Sequence, residues 1–174
     1  MREMLSLSNG GEFFGDAHAV LRDEVDAAEF ASARPIVPLA QWKARAAEGF
    51  VLPAVWLAPE DDPRDVASAI DSLQLIALDF PKATDGRAYS IAALLRGRYG
   101  YRGELRAIGD VQIDQLFFMR RTGFDSAELP ARWTNAATLP AIRAALTAFS
   151  DAYQGAADQP LPLFKRRLLE GIST

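Results

Sequence analysis

A chain of 174 residues, 49% hydrophobic and 24% charged, is long enough for one domain with a sizeable core and too short for two ordinary ones. There is no cysteine and His18 is the sole histidine, which excludes disulfides, thiolate-held clusters and cysteine nucleophiles, and leaves a structural zinc ion without its usual ligands. A net charge of −4, with no basic cluster interleaved with exposed aromatics, argues against nucleic acid as a partner.

No apolar run approaches the roughly 20 residues that cross a membrane. The opening "MREMLSLSNGGEFFGDAH" has no apolar stretch of secretory length, so the expected compartment is the cytoplasm. No cofactor and no metal are expected. Ser-His-acid catalysis would have to use His18, which the sequence places in a polar, Gly-rich stretch and which reads as an exposed loop residue.

Charge is unevenly spread. Residues 1–80 hold fourteen acids against six bases, whereas 82–121 hold eight bases against four acids. Only three of the 19 bases are lysine, and the planar fork of arginine suits carboxylate, phosphate, sulfate or an acidic protein face. Most of these arginines read as solvated helix faces.

In chain order, residues 1–34 carry many Gly, Ser and acidic residues with little periodicity, and read as a loosely structured, partly flexible N-terminal segment. A helix is possible over Ala17 to Phe30. Residues 35–174 read as a single α/β domain. Pro35 to Pro38 is a short extended piece, and Ala40 to Glu48 a helix stopped by Gly49. "VLPAVWLAP" is a buried strand. In "DDPRDVASAIDSL", Asp62 is an N-cap, Pro63 the first helical residue, and Val66, Ala69, Ile70 and Leu73 fall at helical spacing. "LQLIALDFP" is apolar without alternation, as a strand covered by helices on both faces would be.

"DGRAYSIAALLRGRYG" follows as a helix with Ile91, Leu94 and Leu95 on one stripe and Gly100 as terminator. "GELRAIG" is the third strand of the domain. Asp110 then caps "VQIDQLFFMRRTG", whose Ile113, Leu116 and Phe117 form a stripe ending at Gly123. "FDSAEL" is a weaker strand. "TLPAIRAALTAFSDAY" is a helix with Ile142, Ala145, Leu146 and Phe149 inward, and "LPLFKRRLLEGI" a short last helix. Tyr99, Tyr101, Phe117 and Phe118 read as core and hinge packing.

Four strand-helix alternations imply parallel βα repeats with right-handed crossovers. Four or five units cannot close an eight-fold barrel. The expectation is therefore an open sheet or partial barrel whose uncovered edge is protected by the N-terminal segment or by a second subunit in a homodimer.

In such folds the segments following the strands meet at one rim, where ligands usually bind. Pro59 to Arg64, Asp79 to Arg87 and Gly109 to Asp114 should share that mouth. The helix beginning near Asp85 offers backbone N–H groups and the positive end of its dipole, and Lys82, Gly86 and Arg87 could complete a cup for a small oxyanion. The simpler alternative is that Thr84 or Asp85 caps the helix while Lys82 and Arg87 face water. Asp110 and Asp114, four apart, would share a helical face and could pair with Arg87 or Arg106 across the mouth. Asp79, Asp110 and Asp114 are the candidate acid-base residues. The glycines of "GRYGYRG" lie at a helix end, so the dinucleotide-binding mechanism does not apply, and "EDDPRD" lacks the pattern of a calcium loop.

From Leu78 to Phe124, "LDFPKATDGRAYSIAALLRGRYGYRGELRAIGDVQIDQLFFMRRTGF" resembles a family of uncharacterised proteobacterial proteins described as oxidoreductases of sulfite reduction and encoded beside assimilatory sulfite reductase. The resemblance rests on "FPK.TDGR.YS" and "RYGY.GELRA.GDV..DQLF.MRR.GF", with "VPLAQW" and "LPAVWL" matching more loosely. Asp79, Thr84, Asp85, Gly86, Arg87, Ser90, Arg106, Gly109, Asp110, Asp114, Gln115 and Arg120 stand at its motif positions. Lys82, Thr84, Asp85, Gly86, Arg87, Ser90, Arg106, Gln115 and Arg120 are accordingly the expected ligand-binding set.

The chain departs from the pattern at Ala83, where the family has an aromatic, at Ala88, where it has glycine, and at Thr122, where cysteine is frequent. Chemistry needing that thiol could not run here. The resemblance implies an accessory protein of assimilatory sulfite reduction without its own redox centre, binding a sulfur oxyanion or the sulfite reductase itself. The alternatives are an enzyme acting on a small anionic or phosphorylated metabolite through carboxylate acid-base chemistry, and an assembly module with no ligand.

Overall fold

The computed structural model describes residues 2–8, 10–22, 34–147, 161–162 and 165–166. Its strands are β1 (Arg2–Ser6), β2 (Glu12–Asp16), β3 (His18–Val20), β4 (Arg34–Pro38), β5 (Ala54–Leu57), β6 (Leu75–Phe80), β7 (Glu104–Gly109) and β8 (Ser126–Ala127). They form one sheet in the order β2-β1-β8-β7-β6-β5-β4-β3. All pairs from β3 to β8 are parallel, and β1 is antiparallel to both of its neighbours.

The two ends of this sheet are one stretch of chain. Only Ala17 separates β2, which pairs with β1, from β3, which pairs with β4. Side chains confirm that the sheet curls round to meet itself. Arg106 of β7 donates to Asp16 of β2 at 2.5 Å, and Arg22, just past β3, donates to Asp79 of β6 at 2.8 Å. Each pair lies three strands apart, about 14 Å across a flat sheet, further than these side chains span. The result is a nearly closed barrel, sealed by the N-terminal segment as one of the two expected edge covers.

That segment is therefore more structured than its composition suggests. The helix expected from Ala17 is replaced at its start by β3, and residues 23–33 lie outside the described residues. The sequence does not announce this strand because the side chains that alternate inward at its centre, Asp16 and His18, are polar, so no apolar period of two marks it. His18 is accordingly no exposed loop residue: it is half-buried, with Nδ1 2.8 Å from Asp16 Oδ1.

Alternation divides the strands into two faces. The outward set, including Leu5, Val37, Val55, Leu57, Ile76, Leu78, Phe80, Leu105, Ala107 and Ala127, is buried in the main core. Helices cover it: α1 (Leu39–Ala47), α2 (Arg87–Gly97), α3 (Leu116–Thr122) and α4 (Leu139–Leu146), with a 3-10 segment over Pro63–Ala69. The inward set Ile36, Ala54, Leu75, Ala77 and Ile108 forms a second cluster inside the barrel, joined by Val20 and Trp56. The unbroken apolar run of β6 thus arises from helices on one side and barrel interior on the other.

Local signals mostly hold. Asp62 accepts the Arg64 N–H at 2.9 Å ahead of Pro63. Gly49, Gly100 and Gly123 all have positive φ, where a side chain would be strained. Ile91 and Leu95 are buried on α2, but Leu94 is 40% exposed, and Phe118 is 51% exposed while Tyr101 is buried. Ile142 and Leu146 of α4 are buried. Phe149 and most of the expected last helix lie outside the described residues.

Arg96 is not the solvated helix residue its sequence context suggested. It donates to the carbonyls of Gly123, Tyr101 and Gly103 at 2.8–2.9 Å, and to Asp125. One guanidinium thereby ties the end of α2 to the entries of β7 and β8.

Inside the barrel Arg106, 2% exposed, joins Asp16 to Glu104, and Glu104 Oε1 also accepts from Ser126 Oγ at 2.5 Å. Replacing Arg106 with Met should destabilise the protein by about 3–5 kcal/mol in urea unfolding, because two carboxylates lose their cation. The double substitution Arg106→Met, Asp16→Leu should recover most of that loss.

Candidate functional site

The rim at the C-terminal ends of the parallel strands joins two of the three expected loops, those after β6 and β7, while Glu60 to Arg64 line a cleft with Leu94, Arg98 and Tyr99. Gly109, with φ +96°, turns the chain back so that the Asp110 N–H reaches the Phe80 carbonyl at 2.7 Å. A Cβ at Gly109 would overlap that carbonyl and lie 2.8 Å from Asp79 Oδ1, so only glycine allows the two strand ends to approach so closely.

This approach lets the β7 end hold the loop after β6. The Ala83 N–H donates to Asp110 Oδ2 at 3.0 Å, and Gln115 Nε2 donates to the Ala83 carbonyl at 2.6 Å. Gln112 links the two clamping side chains: its Nε2 donates to Asp110 Oδ1 at 2.5 Å and its N–H to Gln115 Oε1 at 3.0 Å. Arg132 Nη2 then donates to Gln112 Oε1 at 3.0 Å. One residue of the loop is gripped at both of its backbone polar groups.

The next residues make their own closure. Asp85 accepts the Arg87 N–H at 3.1 Å and receives the Arg87 guanidinium at 3.0 and 2.7 Å. Asp85 therefore serves the first N–H of α2 from the residue ahead of its N-cap Gly86, close to the simpler reading except that Arg87 turns back to it, and its carboxylate occupies the positive end of the helix where an external oxyanion was expected. The Arg87 hydrogen bonds hold the Asp85 carboxyl at a pKa of about 2, well below the ordinary value. Gly86 precedes the helix at φ −85°, a conformation open to any residue. Lys82, Thr84 and Ser90 are exposed.

Asp79 points into the mouth of the barrel and is 6% exposed. Its partner Arg22 is half-exposed, with its guanidinium 5.7 Å from the Trp56 ring centroid. Trp56 Nε1 donates to the Leu21 carbonyl at 2.7 Å. The Arg22 guanidinium is held protonated more firmly than usual, first by the hydrogen bond to Asp79 and also by the charges of Asp79 and Glu128.

Several expectations change here. Arg106 is not on the rim but inside the barrel, and Arg87 pairs with Asp85, so neither meets Asp110 or Asp114. Asp110 and Asp114 do not share a helix face, since helical structure starts only at Ile113 with Gln112 as its N-cap. Asp110 is consequently a loop clamp, not a cap. Asp114 is exposed beside Tyr89, whose hydroxyl is pushed up to about 12 by burial and, secondarily, by that carboxylate. Arg120 lies on α3 with its guanidinium 5.9 Å from the Phe117 centroid.

Among the described residues, no group of three His, Cys, Asp or Glu side chains is placed to hold a metal ion, and no helix is long and apolar enough to cross a membrane. The profile of a family of bacterial proteins of unknown function, DUF934, matches residues 54–164. The chain belongs to this family. Neither the curated proteins nor the solved structures contain a match to the chain.

The DUF934 span runs from β5 onward and contains the clamped loop, its clamps and Asp79. Arg22, Asp16 and His18 lie before it. Sequence reasoning missed Arg22 and Trp56 as rim residues, and Asp16 and Glu104 as partners of Arg106. The available signal was the charged pair Glu104 and Arg106 at period two within "GELRAIG", which puts both on one face of a strand otherwise buried.

The cap gives a direct test. A depressed carboxyl pKa stabilises the loop above the unfolded value and loses that effect as pH falls through the folded one. By carboxyl NMR, Asp85 should titrate near pH 2, and Arg87→Ala should raise its midpoint toward the unperturbed value of about 3.9 without reaching it, because the backbone N–H of residue 87 remains.

Proposed function

We propose that this protein is an accessory protein of assimilatory sulfite reduction, without a redox centre of its own, that engages the sulfite reductase through the loop between β6 and α2. The observation that carries this reading is the use to which the rim residues are put. Asp110 and Gln115 hold Ala83, Asp85 holds Arg87, and Asp79 holds Arg22. Side chains that stand at the motif positions are spent on shaping the loop, while its tip, Pro81, Lys82 and Thr84, is exposed. Rigid loops lose little entropy on docking. With Arg87 neutralised by Asp85, the tip carries the single positive charge of Lys82, which suits an acidic face on a partner.

A second reading, a site for a small sulfur oxyanion on this loop, is favoured by the same exposed Lys82 and opposed by Asp85 at the helix start. The rival enzymatic reading has less support, since Asp79 and Asp110 are engaged in hydrogen bonds and Asp114 stands apart on an exposed helical turn.

Binding of the purified full-length chain to purified assimilatory sulfite reductase is the test. Lys82→Glu should weaken that binding by about tenfold or more, as charge reversal at a contact does, and leave Tm unchanged because Lys82 is exposed. No binding by the native chain, or equal binding by the variant, overturns the reading. Thermal shift with sulfite, sulfate, phosphate and sugar phosphates separates the others: stabilisation by sulfite lost in Lys82→Glu supports the oxyanion site, and stabilisation by a sugar phosphate alone supports the enzyme.

A further inference from the structure

The strand that seals the barrel is built unlike the others. Over Glu12 to Arg22 the only buried residue is Asp16, at 8% exposure; Phe13 and residues 18–21 are partly buried, and the rest are exposed. By contrast β1, to which it is hinged, buries Met4 and Leu5, with Leu7 just beyond, all at 1% or less. The turn between them contains Gly10 and Gly11, both at positive φ, and a Cβ on Gly11 would press on Leu146 and Ile142 of α4. The hinge is thus anchored on the helical layer, and the strand beyond it is held by only partly buried apolar side chains, Phe13 and Leu21 on the main core and Val20 on the interior cluster.

What closes it is backbone pairing and charge. β2 pairs with β1 over five residues and β3 with β4 over only three, while Arg106 reaches Asp16 from β7 and Arg22 reaches Asp79 on β6. The interior positions around the Arg106 pair, Ser6, Asp16, His18, Glu104, Arg106 and Ser126, are polar, whereas Ile36, Ala54, Leu75, Ala77 and Ile108, with Val20 of the clasp against them, are apolar.

A buried ion pair gains little net free energy over its hydrated, separated partners, because desolvation offsets the attraction. An apolar seam would instead resist opening in proportion to its area. Parting the seam breaks two edge ladders whose freed groups water can satisfy, rehydrates charged groups and leaves most of the outer core in place, so the closing strand has the features of a unit that opens alone.

We propose that the strand from Glu12 to Arg22 is a hinged clasp, locked by Arg106–Asp16 and Arg22–Asp79, that opens and closes the barrel seam while the parallel sheet stays folded. This goes beyond the accessory role proposed above and does not depend on it.

Native-state hydrogen exchange on the full chain tests it. Amides of residues 12–20 should exchange at least about tenfold faster than those of β6 and β7, the spread that separates local opening from global unfolding. Asp16→Asn should speed the clasp amides further without changing β6 and β7, and Arg106→Met with Asp16→Leu should slow them. Should Asp16→Asn fail to fold, Arg22→Gln, at a half-exposed side chain, reads the same opening. Clasp amides as slow as those of β6, or a variant that speeds every strand equally, overturns the proposal.

Discussion

The ion pair between Arg106 and Asp16 is the constraint on which the architecture turns. A guanidinium in the middle of a strand whose outer neighbours are all apolar has no route to water once the helices pack, so it must find carboxylates on its own side of the sheet. Glu104, two residues earlier, supplies one. Asp16, ninety positions away in sequence, supplies the other, and reaching it obliges the sheet to curl until its two ends meet. Barrel closure brings that carboxylate within reach, and the polar side chains of the seam gather round one charge.

Closure also decides where the rim residues stand. A flat sheet would leave Asp79 facing an open crevice, but in the barrel it faces Arg22 brought round from the far edge, with Trp56 as the floor beneath. The DUF934 match, over 54–164, includes Asp79 and Trp56 but not Arg22. The rim is therefore assembled from two parts of the chain, only one of which the family profile covers.

The loop after β6 illustrates how a dense polar motif can serve shape instead of reactivity. "FPKATDGR" contains two acids' and bases' worth of hydrogen-bonding capacity once Asp79 is counted ahead of it, and nearly all of that capacity is met within the chain. Asp110 and Gln115 grip one residue, Asp85 and Arg87 grip each other, and the remaining charge is a single lysine at the surface. A backbone gripped so tightly presents a fixed surface, and that rigidity is the property a docking loop needs.

By itself the sequence determined those elements whose stabilising forces are local. Caps, glycine terminators and apolar periods mark α1, α2, β5, β6 and β7 because each signal acts within a few residues of the structure it creates. The convergence of the loops after β6 and β7 was legible too, since parallel connections leave no other arrangement. What only the tertiary structure decided are the partners of charges: that Arg106 turns inward to Asp16, that Arg87 is silenced by Asp85, that Asp110 clamps a loop in place of capping a helix, and that His18 lies in the closing strand. Coulombic and hydrogen-bond partners are chosen by distance in space, and a polar strand sealing a barrel carries no periodic mark in the sequence to announce which strands it will join.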